Sequence, residues 1–471
     1  MKSGRLQIFF SAAFFLLILQ SVAAAPSRAV TKPNIIFIFC DDLGYGDLGC
    51  YGNTEIRTPN IDRMASEGVR LTQFYVTMPA CSPSRASLLT GRYQLRVGIP
   101  NVLGPESKIG LRQKEWTIAE ALKEQGYSTT CIGKWHLGRP AEFLPTKHGF
   151  NSYFGIPYSN DMDRSHAGGA AVPLLENETI IEQPVNQDTL TQRYTERAIR
   201  YIQDNKNHPF FLYLPHTFPH VPLHASDKFR GKSARGLFGD VVEEIDWSMG
   251  EILNTLRALK LDRKTLVIFS SDNGPWLVKG RDAGSAGILR DGKATVYEGG
   301  IREPFIAWWP GKLAPGKTVD EPVISTDMFP TLLNLAGGKA KSHNFDGTDV
   351  WPIISEGARR AKTEFVWYKG VNPGAVRIGN YKLHLPKTVK GTSVPLELYD
   401  IAADISEKNN LAAAKPEVVE RLSKFAAKMD DEIRGQFRRH PNAFEGDLLS
   451  KAPARIADPT STAAKAAETP R

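Results

Sequence analysis

Four short runs of apolar, β-branched and aromatic residues recur along the chain, and each ends in polar or glycine-rich residues: Asn34 to Phe39, Ser128 to Ile132, Phe210 to Leu214 and Leu266 to Ser270. Runs this short and this continuously apolar predict buried strands. Between them lie stretches of helical period. Leu190, Tyr194, Ala198 and Tyr201 share one face, and Val241, Ile245, Met249, Ile252 and Leu256 share another. Strands alternating with helices predict an α/β fold, a large sheet covered by helices on both faces.

After about Trp351 the texture changes. Strand-like pieces at Phe365 to Tyr368, Ala375 to Ile378, Tyr381 to Leu385 and Glu397 to Tyr399 precede a helix with Val418, Leu422, Phe425 and Met429 on one face. This predicts a smaller α+β subdomain with a short antiparallel sheet over residues 356–450, behind a main body over residues 33–355. A chain of 471 residues, at roughly 150 per domain, has room for both. Residues 451–471 are mainly Ala, Thr, Pro and Lys with almost nothing to bury, and predict a disordered tail.

The other end predicts a signal peptide over residues 1–25. Lys2 and Arg5 precede an apolar run from Ile8 to Leu19, and Val22-Ala23-Ala24-Ala25 offers the small residues that a signal peptidase needs. The run is shorter than the ~20 residues of a membrane span, so the expectation is an exported protein, periplasmic or extracellular, with no stable membrane anchor. The formal charge is +8, of which the leader supplies two and residues 451–471 a net two, leaving four on a body rich in both signs. No basic stripe interleaved with aromatics is present, which argues against nucleic acid as a partner and leaves room for a local basic pocket.

In open α/β sheets ligands bind outside the carboxyl ends of the strands, so the residues that follow each strand carry the functional information. Asp41 and Asp42 follow the first run, and Asp272 and Asn273 follow the last. Either pair alone reads as a turn. Four oxygen donors at neighbouring strand ends, with no Cys or His among them, suit a hard cation such as Ca²⁺ or Mg²⁺, and Ca²⁺ is favoured outside the cell. Ser128 to Ile132 is followed by Lys134 and His136, and Leu214 by His216 and His220, which brings cationic and titratable groups to the same edge. His216 and His224 read as ordinary satisfied surface residues. In Cys81-Ser82-Pro83-Ser84-Arg85, Pro83 and the helix-compatible residues after it predict a helix amino terminus, an anion site, with Cys81 beside it.

Cys81-Ser82-Pro83-Ser84-Arg85, running into Leu89-Thr90-Gly91-Arg92, resembles the signature of the type I sulfatases, in which the cysteine is oxidised after translation to formylglycine. Asn34 to Gly46, Gly133-Lys134-Trp135-His136, Ile156 to Asp161, Ser271 to Pro275, Gly292-Lys293, Tyr297-Glu298-Gly299-Gly300 and Glu397-Leu398-Tyr399-Asp400 look like the same family in the same order. The resemblance covers roughly residues 33–430, and is strongest to the arylsulfatase A and N-acetylgalactosamine-6-sulfatase branch. It implies an alkaline-phosphatase-like fold, with residues 33–355 as the catalytic domain.

The resemblance also implies roles. Asp41, Asp42, Asp272, Asn273 and the modified Cys81 hold one Ca²⁺. A hydroxyl of the hydrated aldehyde attacks the sulfur of a bound sulfate ester, and the second hydroxyl later expels sulfate. Arg85 holds the diol and metal region, Lys134 and Lys293 neutralise the sulfate oxygens, and Ser159 hydrogen-bonds one of them. His136 is the base that breaks down the sulfated intermediate, and His220 binds the substrate and is the acid that protonates the leaving alcohol. The implied partners are a carbohydrate sulfate ester, with aryl sulfates as surrogates, and a formylglycine-generating maturation enzyme. Two other readings remain open: a phosphonate or phosphodiester hydrolase of the same superfamily, and a secreted protein that binds sulfated glycans without converting Cys81. Export predicts paired cysteines, but with Cys81 reserved for chemistry at least one of Cys40, Cys50 and Cys131 stays unpaired.

Overall fold

Every residue of Asn34–Cys40 is buried. A strand with no solvent face needs a partner along each edge and a layer over each face, which places it in the middle of a sheet. The computed structural model describes, apart from Met1, residues 32–165, 169–340, 344–389 and 392–445; the expected signal peptide and tail lie outside the described residues.

The large sheet has eleven strands. In chain order they are β1 Asn34–Cys40, β2 Val69–Tyr75, β3 Ser128–Ile132, β4 Ser152–Gly155, β5 Leu174–Glu176, β6 Thr179–Glu182, β7 Phe210–Pro215, β8 Thr265–Ser271, β9 Arg302–Trp308, β10 Lys317–Val319 and β11 Val323–Ile324. They lie in the order β10-β2-β9-β8-β1-β7-β3-β4-β5-β6, with β11 also paired to β2. The central block β8-β1-β7-β3-β4 is parallel throughout. Its flanks are antiparallel, at β9 on one side and at β5 and β6 on the other, so the sheet as a whole is mixed. The four apolar runs are the strands of the central block except β4. The flanking strands escape notice because they are short or, like β9, open on Arg302-Glu303-Pro304.

Alternation along β1 divides the core in two. Ile35, Phe37 and Phe39 face one apolar layer, and Ile36, Ile38 and Cys40 the other. The first layer is closed by helices that include α2 Cys81–Thr90 and α3 Ile118–Glu124, through Leu88, Leu89, Ile118 and Leu122. The second is closed by α1 Pro59–Glu67, α4 Leu190–Asp204 and α5 Leu237–Ala258, through Ile61, Met64, Leu190, Tyr194 and the expected Val241, Ile245, Met249, Ile252 and Leu256. Each such side chain contributes roughly 1.5–3 kcal/mol on burial. Both faces are covered, as the strand and helix alternation predicts.

All four cysteines are free, which corrects the expectation of pairing. Cys40 and Cys131 belong to opposite faces of the sheet, so those two cannot meet.

The small sheet is antiparallel in the order β12 Glu364–Lys369, β13 Asn372–Ile378, β14 Tyr381–His384 and β17 Glu397–Asp400, with a hairpin of β15 Lys387–Val389 and β16 Thr392–Val394 between the last two. Three short helices precede it: α6 Glu298–Ile301, α7 Met328–Leu335 and α8 Trp351–Glu356. The long helix α9 Pro416–Arg438 lies over this sheet and buries Val418, Leu422, Ala426, Ile433 and Phe437; Phe425 and Met429 sit at the margin, half-buried, rather than on the buried face. Trp367 of β12 instead joins the core of the large sheet and donates its indole N–H to the Val76 carbonyl at 2.8 Å.

Candidate active site

Strand order decides which side chains meet. β1 and β8 run parallel with Cys40 opposite Ser271, so the next residues, Asp41-Asp42 and Asp272-Asn273, leave the sheet side by side. β7 and β3 continue the same edge and deliver His220 from one side and Lys134 and His136 from the other. The turn into Lys134 passes so close to the end of β7 that a Cβ on Gly133 would lie 1.9 Å from the Pro215 oxygen, and its φ of 132° also favours glycine. Asp42 and His136 sit at φ 64° and 60°, left-handed conformations that are uncommon for non-glycine residues.

Arg85, one turn into α2, organises the carboxylates. Its Nε donates to Asp272 Oδ2 at 2.9 Å, Nη2 to Asp41 Oδ2 at 2.9 Å and Nη1 to the Lys134 carbonyl at 2.9 Å. Lys134 pairs with Asp41 and donates to Ser159 Oγ at 3.0 Å. Lys293 donates to both Asp42 oxygens, at 2.7 and 2.9 Å, and lies 3.5 Å from Cys81 Sγ. Cys81, the first residue of α2, lies 3.3 Å from Asp41 Oδ1, at a helix start with no side-chain cap.

Burial acts on every charge here. It raises Asp41, but Lys134 and Arg85 more than offset it and hold that carboxyl well below the usual range. Asp42 is pushed up to about 6 by burial against the pull of Lys293, and Asp272 up to about 7 by burial and by the Asp41 charge. Burial and Asp41 also push the Cys81 thiol up.

The donor set fits a hard divalent ion. Asn273 donates its amide to Asp42 Oδ1 at 2.7 Å, which leaves its own Oδ1 buried with no donor. Two crowded carboxylates driven toward neutrality, next to an orphan oxygen, are what a cation would relieve. Ligand atoms of Asp41, Asp42, Cys81 and His220 lie within 4.8 Å of one another. His220, expected as an acid and as a substrate-binding residue, thus also enters the cluster, while Asp272 Oδ2 is occupied by Arg85.

A family model described as Sulfatase matches residues 33–338. The chain belongs to the sulfatase family. A second model, N-sulphoglucosamine sulphohydrolase, C-terminal, matches residues 290–434. The chain is 40% identical over 451 residues to arylsulfatase A of Homo sapiens, covering 85% of this chain and 88% of that protein. It is 40% identical over 391 residues to N-acetylgalactosamine-6-sulfatase of Mus musculus, covering 79% and 75%. The crystal structure of Ps i-CgsB in complex with k-i-k-neocarrahexaose superposes with a TM-score of 0.75 at 30% identity, covering 89% of this chain and all of that one. The protein is therefore a sulfuric ester hydrolase by descent.

In this sulfatase the two expected catalytic histidines are buried and neutral. His136 Nε2 lies 2.9 Å from the Leu103 carbonyl, which can only accept, so Nε2 carries the proton and Nδ1 keeps its lone pair, buried without a partner. Burial and Lys134 hold its pKa well down. His220 Nδ1 lies 2.5 Å from the Val221 carbonyl and so carries the proton, leaving Nε2 3.6 Å from Asp42 Oδ2. Burial and Lys293 push His220 down to about 3. His224 is satisfied by Asp188 at 2.7 Å. His216 departs from its expectation as a surface residue: it is fully buried, against the Tyr194 ring, and neither nitrogen has a partner.

Two contributors lacked a sequence signal of their own. Leu103 accepts from His136 and donates its N–H to Ser82 Oγ at 3.1 Å, tying the histidine to the start of α2 through main-chain atoms that no side-chain pattern reveals. Trp276 places its ring 5.6 Å from His220 and under the Lys293 ammonium, 4.7 Å from the ring centre; its position just after Asp272 to Pro275 is the clue available in the sequence.

Proposed function

We propose that this protein is an exported carbohydrate sulfatase, with Cys81 converted to formylglycine and one Ca²⁺ held by Asp41, Asp42, Asp272, Asn273 and residue 81. The observation that carries this reading is the convergence of Arg85, Lys134 and Lys293 on three carboxylates around Cys81, in a pocket where all of these groups are buried except Lys293, which is partly exposed. Three carboxylates, two of them raised toward neutrality, face three cations, and a divalent ion that enters with an anionic ester brings charges of opposite sign that offset each other. Once formed, a hydrated aldehyde at residue 81 would supply two geminal hydroxyls, and a divalent ion held by these residues would supply Lewis-acid polarisation.

The chain's own residues do the rest. Arg85 bridges Asp41 and Asp272 and fixes where each carboxylate lies. Lys134, Lys293 and Ser159 bind the sulfate oxygens and stabilise the charge that builds there. An anionic ester offsets the Lys293 charge that helps keep His220 neutral, so the proton affinity of Nε2 rises where the leaving alcohol needs an acid. His136, with its proton fixed on Nε2 by Leu103, offers Nδ1 as a base. A carbohydrate substrate is supported by the relatives, N-acetylgalactosamine-6-sulfatase and the carrahexaose complex among them. The leader over residues 1–25 supports export, and residues 356–450 serve as a C-terminal subdomain to a catalytic body over residues 33–355.

Tryptic digestion of protein from its native source tests the reading. The peptide Leu71 to Arg85 is expected to have one oxygen in place of a sulfur and two hydrogens, and the protein to hydrolyse an aryl sulfate faster than the matched aryl phosphonate. An intact thiol with no turnover overturns it in favour of glycan binding, and the reverse rate order in favour of a phosphonate hydrolase.

A further inference from the structure

We propose that Lys279 forms a second anion-binding position at the mouth of the site, selecting esters that carry another negative substituent, sulfate or carboxylate, beside the sulfate that is cleaved. The inference rests on the sulfatase reading above and concerns the alcohol half of the substrate.

One ring ties the two lysines together. The Lys293 ammonium lies 4.7 Å from the centre of the Trp276 indole and the Lys279 ammonium 4.2 Å from the same point. They are no further apart than those distances laid end to end, roughly 9 Å, comparable to the Debye length of about 8 Å at physiological salt. Lys293 is paired with Asp42, but Lys279 is exposed. Among the described residues no carboxylate lies within ion-pair distance of Lys279, so its charge is free for a ligand.

The loop is held in place before any ligand arrives. Lys279 donates its main-chain N–H to the Trp276 carbonyl at 2.9 Å, and Gly280 follows at φ 61°, a left-handed turn suited to glycine. Arg235 spans the next stretch, with Nη1 on the Arg281 carbonyl and Nη2 on that of Ala283, each at 2.9 Å. The indole keeps the Lys279 ammonium over its face, a contact of about 0.5–1 kcal/mol at an exposed site. Little ordering entropy remains to be lost when an anion binds. A cavity of about 660 Å³ opens beside the same loop, lined by Leu277, Ile288, Asn53, Thr54 and Arg235 among others, with room for further saccharide units.

The test compares wild type, Lys279→Gln and Lys279→Arg on three esters: a neutral aryl sulfate, a disulfated disaccharide, and a monosulfated disaccharide bearing a uronate. Lys279→Gln is expected to raise KM for one or both dianions about twofold to fivefold, as for the loss of an exposed ion pair of up to about 1 kcal/mol. KM for the aryl sulfate and all kcat values stay unchanged, and Lys279→Arg restores the dianion. Whichever disaccharide responds identifies the second group. An unchanged KM for both dianions, or an equal rise on the aryl sulfate, overturns the proposal. If wild type cleaves no sulfate ester, the sulfatase reading fails on its own. Calorimetric binding of the disulfated against the corresponding monosulfated disaccharide then decides on Lys279: a preference lost in Lys279→Gln supports it, and equal binding rejects it.

Discussion

Two buried ionic clusters of similar composition do opposite things in this molecule. At the junction with the small sheet, Glu298 accepts from Lys382 at 2.8 Å, Tyr75 at 2.7 Å and Arg302 at 3.1 Å. Glu407 accepts from Lys382 at 3.0 Å, His384 at 2.6 Å and the Glu298 N–H at 2.7 Å. Every carboxylate oxygen there has a donor. Burial raises Glu298, yet Lys382 and Arg302 overcome it and bring the group down to about 2. At the strand ends, by contrast, Arg85 is shared between Asp41 and Asp272, and burial with the Asp41 charge leaves Asp42 and Asp272 raised in spite of Lys293 and Arg85. The junction cluster is closed on itself and spends its charges on cohesion. The strand-end one crowds its carboxylates and keeps an oxygen open, an arrangement suited to ligands.

Swapping the readouts is the strongest way to break this contrast. Lys382→Met strands two buried carboxylates and is expected to lower stability by about 3–5 kcal/mol in denaturant unfolding. Lys134→Ala is expected to lower kcat on an aryl sulfate by about 10²–10³, as for the loss of an anion-stabilising donor. Its unfolding midpoint moves less than that of Lys382→Met, because Arg85 still holds Asp41. A Lys134→Ala protein that is unstable but fully active would reverse the assignment of the two clusters.

The strand-end cluster was legible in the sequence because its members announce themselves by position. Asp41, Asp272, Lys134 and His220 all follow apolar strands, and parallel neighbours carry such residues to one edge whatever the loops do. The junction cluster was not legible. Lys382 and His384 alternate with apolar residues in Tyr381–His384, a pattern that reads as a strand with a wet face, although both are buried. Their partners lie 84 and 23 residues away, Glu298 in a glycine-rich motif and Glu407 in a loop, so no local spacing pairs them. The mixed character of the sheet was hidden for a related reason: β9 enters on Arg302 and Glu303, and charged strand starts are visible only once their burial is known.

Acid sharpens the contrast further. Glu298 has a folded pKa of about 2 against an ordinary 4.5, so its stabilisation is complete above pH 4.5 and is lost as pH falls toward 2. Over the whole window this amounts to about 3 kcal/mol. The stability difference between wild type and Glu298→Gln, measured by urea unfolding at steps from pH 7 to pH 3, is expected to hold steady to about pH 5 and then shrink. A difference that stays constant to pH 3 would mean that Glu298 is not ionised in the folded protein.

The smallest effect bears on whether the two clusters are independent. The segment that carries Lys293 is attached to the small sheet at both ends. Arg290 Nη1 donates to Tyr399 Oη at 3.0 Å and to the Glu407 carbonyl at 2.7 Å, while its guanidinium lies 3.9 Å from the centre of the Tyr297 ring. At the far end Tyr297 Oη donates to Glu397 at 2.5 Å, and the Glu298 N–H to Glu407. The cohesive cluster therefore holds in register the loop that brings Lys293 to the strand-end cluster. Arg290→Met keeps the bulk over Tyr297 but removes both donors, and is expected to lower kcat about threefold to tenfold through a displaced Lys293, a coupling of roughly 1 kcal/mol. In a Lys293→Ala background the same change is expected to lower kcat hardly at all, since the group it positions is gone. An equal loss in both backgrounds would show that Arg290 acts on the fold at large and that the clusters are separate.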